Sequence, residues 1–117
     1  MDLKSKIILI SGPTASGKSK FAIRLAKKIV YKQAGLAKKA NLDAIVCSAH
    51  EIQIIRKIFK KEIIVPGVRF NSDKNDQKRV MTPSGAIKAG ANSLVIGRPI
   101  TKGNIKKNIV KLIKHLK

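Results

Sequence analysis

Short apolar runs alternate along this chain with longer stretches whose apolar residues recur every three or four positions. Lys6–Ile10 is such a run, and it opens into a glycine-bearing turn, Ser11–Gly17. From Lys18 to about Lys39 the apolar positions Phe21, Ala22, Leu25, Ala26, Ile29 and Val30 form the inward stripe of a helix. The turn Asn41-Leu42-Asp43 leads into Ala44–Cys47, continuous and apolar like a fully buried strand. His50–Phe59 returns to helical spacing with Ile52, Ile55 and Phe59 inward, and Glu62–Val65 is a strand stopped by Pro66-Gly67. Arg69–Arg79 has the composition of a loop. Thr82 is placed to cap a helix, with Pro83 at its first position and Gly90 just past its end. Ser93–Ile96 is the next strand and ends in Gly97-Arg98-Pro99. The last helix is Asn104–Leu116, with Ile105, Ile109, Leu112 and Ile113 inward.

This alternation predicts an α/β fold of four consecutive βα units, a parallel sheet covered by helices. Composition narrows the picture. Hydrophobic residues make up 44% of the 117, enough for one folded domain, while aromatics make up 3%, so the core is aliphatic. No apolar run approaches the ~18 residues of a membrane span. The single cysteine, Cys47, excludes an internal disulfide and fits a reducing cytosol, so a cytoplasmic location is expected. It lies in an apolar strand and reads as a small core residue. His50 and His115 have no partner at metal-ligand spacing, so no zinc is expected.

The net charge is +20, from 26 Lys+Arg against 6 Asp+Glu, yet 21 of the basic residues are Lys and only five Arg. They are spread over almost every polar face, without the clustering and aromatic interleaving of a nucleic-acid site. Loose, non-specific polyanion binding at low salt is the expectation.

Two stretches carry chemistry. Gly12-Pro13-Thr14-Ala15-Ser16-Gly17-Lys18-Ser19 matches the phosphate loop G-x-x-x-x-G-K-[ST], with a predicted strand before it and a helix after it. Gly12 and Gly17 let backbone N–H groups turn inward around phosphate oxygens, Lys18 reaches the outer phosphates and Ser19 ligates magnesium, so a magnesium nucleotide is the candidate ligand. Hydrolysis also needs an acidic partner at the end of a neighbouring strand, and Asp43 stands before its strand instead. The wording of this loop resembles the opening of tRNA dimethylallyltransferases over about residues 5–32. That family places an Asp-Ser pair ahead of a Val-Tyr-Lys. Here Lys27-Lys28-Ile29 precedes Val30-Tyr31-Lys32, so no prenyl-transfer role can be carried over.

The second stretch is longer. Leu42-Asp43-Ala44-Ile45-Val46-Cys47-Ser48-Ala49, Val65-Pro66-Gly67-Val68-Arg69, Asp76-Gln77-Lys78-Arg79-Val80 and Ala89-Gly90-Ala91-Asn92-Ser93-Leu94-Val95-Ile96-Gly97-Arg98-Pro99-Ile100 follow in order. Together they resemble the C-terminal part of bacterial orotidine 5'-phosphate decarboxylases over about residues 33–117. The resemblance implies half of a (β/α)₈ barrel, a dimer, a nucleoside monophosphate ligand and no required cofactor. Barrel enzymes hold phosphate in the loops after their last strands. By the resemblance Arg69, Gln77, Gly97 and Arg98 hold the substrate phosphate: Arg98 offers a bidentate fork, and Gly97 lets the backbone approach closely.

The same family decarboxylates through an Asp-x-Lys-x-x-Asp array. Asp2-Leu3-Lys4 matches its first three positions, but Ile7 stands where the second Asp belongs. No catalytic residue is therefore assigned, and the 117 residues alone are expected to be inactive or to bind phosphate without turnover, the alternatives being a nucleotide-binding remnant at the front loop or half of a split decarboxylase. The combined expectation is a chimera: a phosphate-loop segment at 1–32 joined to a decarboxylase-like half-barrel at 33–117, with pairing of two copies to cover exposed strand edges.

Overall fold

The computed structural model describes residues 17–70 and 81–117. Helix α1 (Lys18–Lys39) leads to strand β1 (Ala44–Val46), then a 3-10 turn (Ala49–Glu51) running into α2 (Ile52–Arg56) and strand β2 (Glu62–Pro66). Helix α3 (Pro83–Ala89), strand β3 (Ser93–Val95), the short α4 (Arg98–Thr101) and α5 (Ile105–Leu116) follow. The strand predicted at Lys6–Ile10, with the turn that begins at Ser11, lies outside the described residues.

The three strands are parallel and lie in the order β1-β2-β3, with Ile45 opposite Ile63 and Val65 opposite Leu94. Those residues share one face, and with Cys47, Ile52, Ile55, Phe59, Val68, Ala86 and Ala91 they build a single aliphatic core around one phenyl ring. The opposite face carries Val46, Ile64 and Val95; Val46 is 65% exposed and Val95 54%. A parallel sheet in consecutive strand order, covered on one face only among the described residues, is a partial (β/α) barrel unit whose other face corresponds to the barrel's inner side.

Local chemistry explains the boundaries. Asn41 adopts a left-handed φ of 55°, which asparagine tolerates, and turns α1 toward β1. Lys61 secures that turn, donating to the Asn41 side-chain oxygen at 3.0 Å and pairing with Asp43 at 3.4 Å. Ser48 accepts from the His50 N–H while the Glu51 carboxylate accepts from the Ser48 N–H, a capping box that starts the 3-10 turn. Thr82 caps α3 with Pro83 at its start, and Gly90 ends it at a φ of 113°, as the sequence predicts.

Arg56 and Asn92 lock α2 to the sheet. The Arg56 guanidinium donates to the Gly90 carbonyl at 2.9 Å, to the Lys61 carbonyl and to the Asn92 side-chain oxygen. That same oxygen accepts from the Ile63 N–H at 2.9 Å, and the Asn92 N–H donates back to the Ile63 carbonyl at 2.9 Å. Asn92→Ala leaves the Ile63 N–H of β2 without its side-chain acceptor and removes one of the three acceptors of the Arg56 guanidinium. Urea denaturation should show a loss of about 2 kcal/mol.

Two helical stripes differ from expectation. Phe21 and Ile29 of α1 are 55% and 45% exposed, and only its second half, through Val30, Ala34 and Ala37, reaches the core. In α5 Leu112 is half-buried, but Ile105, Ile109 and Ile113 are exposed. Periodicity marks which side of a helix is apolar; how much sheet lies beneath it is a tertiary fact.

Candidate functional site

In parallel sheets the loops leaving the C-terminal ends of the strands converge, and here the exits of β2 and β3 form one open cleft of about 520 Å³. Gly67, Val68 and Arg69 line it from the β2 exit, and Gly97, Arg98, Pro99 and Lys102 from the β3 exit. Three cationic side chains thus face one cavity, and no acidic residue lines it among the described residues. Gly67 takes a φ of 74°, a left-handed turn that bends the chain away from β2 at the rim. The Arg69 N–H donates to the Met81 carbonyl at 3.2 Å, so the long loop after β2 leaves and returns at one point.

The β3 exit is a tight turn. The Gly97 carbonyl accepts from the N–H groups of Ile100 and Thr101 at 2.9 and 3.1 Å, which folds Arg98–Thr101 into α4. A Cβ added to Gly97 would meet no described atom within 4 Å. The space around Gly97 at the rim of the cleft is open.

The structure therefore brings together three of the four residues expected to hold phosphate: Arg69, Gly97 and Arg98. Gln77 lies outside the described residues. Lys102 joins the cleft although the sequence reading did not single it out. It stands just past the short α4, in extended backbone, a position that no apolar pattern marks. In the front loop, Gly12 lies outside the described residues, Gly17 precedes α1 at a left-handed φ of 85°, and Lys18 and Ser19 open the helix.

Other polar candidates stay structural. Cys47 is buried beside a small apolar cavity of about 180 Å³ between α1 and β1. Burial foremost, then the Glu51 carboxylate, pushes its thiol up against the opposing pull of Arg56, so it stays protonated and unreactive at neutral pH. No cluster of His, Cys, Asp and Glu suited to a metal ion occurs among the described residues. No described helix is long and apolar enough to cross a membrane.

A consecutive parallel sheet carrying helices, with its loops converging at the strand exits, defines part of a (β/α) barrel protein. The chain belongs to the orotidine 5'-phosphate decarboxylase / HUMPS family, whose model matches residues 4–113. Orotidine 5'-phosphate decarboxylase of Coxiella burnetii is 54% identical over 77 residues, 63% of this chain and 33% of that protein. The enzyme of the same name from Pasteurella multocida is 47% identical over 87 residues, 72% of this chain and 37% of the relative. That from Wigglesworthia glossinidia brevipalpis is 47% identical over 90 residues, 74% and 38%. The chain thus spans little more than a third of the length of the curated relatives it matches. The family match begins at residue 4, so it also crosses the segment that resembles a dimethylallyltransferase.

Proposed function

We propose that this chain is the phosphate-holding portion of an orotidine 5'-phosphate decarboxylase barrel, binding the phosphate of a nucleoside monophosphate without decarboxylating it. The observation that carries the reading is the meeting of Arg69 and Arg98, from two different strand exits, at one cavity of a family member. Arg98 supplies a bidentate fork, Arg69 closes the opposite wall and Gly97 leaves the approach open, with Gln77 the fourth residue that the resemblance implies. Gripping phosphate alone does not lower the barrier to losing carbon dioxide, because nothing in residues 1–117 supplies the Asp-x-Lys-x-x-Asp array. The purified chain is expected to bind UMP and to form none from orotidine 5'-phosphate above background. Steady ultraviolet-detected turnover that Arg98→Ala abolishes would overturn the non-catalytic part of this reading.

The bare face of Val46, Ile64 and Val95 favours association with a second copy, each covering the other's inner side. A charge of +20 per chain opposes that pairing at low salt. Light scattering should show association that grows with salt, phosphate or UMP. A monomer at every salt concentration would contradict it.

A further inference from the structure

The two walls of the cleft come from separate strand exits, yet one face of one helix touches the turns behind both. On α5, Asn108, Lys111 and His115 follow at helical spacing and lie on the same side. The Asn108 side-chain amide donates to the Ile100 carbonyl and to the Lys102 carbonyl, each at 2.9 Å, on the turn that carries Arg98 and Lys102. His115 stacks on the Phe70 ring at 5.4 Å between centroids, and the Lys111 ammonium lies 5.3 Å over the same ring. Phe70 directly follows Arg69.

We propose that this face of α5 is a brace for the anion cleft, with Asn108 as the positioning residue that holds Arg98 and Lys102 against the wall bearing Arg69. The inference rests on the phosphate reading above. Short exposed turns hold a cation in place only as well as their backbone is fixed, and the two Asn108 donors fix the carbonyls on either side of Thr101. The aromatic contact at Phe70 does the same for the opposite wall. Loss of the Asn108 amide lets the turn carrying Arg98 drift, and affinity falls although no phosphate contact has been removed.

The test titrates inorganic phosphate and UMP into the full chain by calorimetry, with urea denaturation run in parallel. Asn108→Leu keeps shape and charge but removes both donors, and should weaken phosphate binding about tenfold. Asn108→Gln keeps the amide and should recover part of that loss. Ile55→Val, in α2 against the core and beside the separate cavity under α1, should lower stability while changing affinity less than about twofold. Wild-type affinity in folded Asn108→Leu, or equal affinity losses in Ile55→Val and Asn108→Leu, would overturn the brace. No phosphate binding by the wild type, or undiminished binding by Arg98→Ala, would instead overturn the phosphate reading and the brace with it. If Asn108→Leu does not fold, the wild type decides by NMR. Phosphate saturation should shift the Asn108 side-chain amide resonances, and unmoved resonances would overturn the brace.

Discussion

Arg98→Ala should weaken UMP binding about 50-fold, the largest effect of any single change at the cleft. Arg98 stands at the start of α4, directly after Gly97 and on the wall of the cleft, where a planar guanidinium can offer a phosphate two parallel donors. Arg98→Lys keeps the charge but replaces two parallel donors with a point charge. It should recover only part of the loss, and what it recovers should fade faster as salt rises. Calorimetric titration at two ionic strengths separates the fork from the charge: equal affinities for Arg98→Lys and wild type at both would mean that only charge matters there.

Phe59→Ala should abolish cooperative folding at 37 °C. Phe59 is 1% exposed and is the one aromatic ring in an otherwise aliphatic core. It follows the last turn of α2, its N–H donating to the Ile55 carbonyl at 2.8 Å, and packs where α2 meets the sheet. Truncating such a ring removes its transfer free energy and leaves a cavity, together about 3–5 kcal/mol. Domains of this size hold only about 5–15 kcal/mol in total, and the strands among the described residues are short. A thermal melt followed by circular dichroism should show a broad, non-cooperative transition. A sharp transition within a few degrees of wild type would show that the ring is not central to the core.

Much of this was legible in the sequence because the signals were local. Thr82-Pro83 and Gly90 mark both ends of α3 by capping chemistry, and the span of α1 from Lys18 to Lys39 matches the apolar spacing. Ser48-Ala49-His50-Glu51 also reads as a capping box, a cue that was overlooked. What the sequence withheld was tertiary. The exposed flanks of Phe21 and Ile113 depend on how many strands lie beneath α1 and α5. The roles of Arg56 and Asn92 depend on hydrogen bonds across 36 positions of chain. At the site, Arg69, Gly97 and Arg98 were named from their motifs, whereas Lys102 and Asn108 became visible only once α4 was seen to be helical.

The central claim is that the cleft between the exits of β2 and β3 recognises phosphate. The most direct measurement is a competition titration of the wild-type chain with UMP, inorganic phosphate and uridine. Phosphate should displace UMP, uridine should not, and Arg69→Ala and Arg98→Ala should each weaken UMP and phosphate in parallel. Displacement of UMP by uridine but not by phosphate would contradict it.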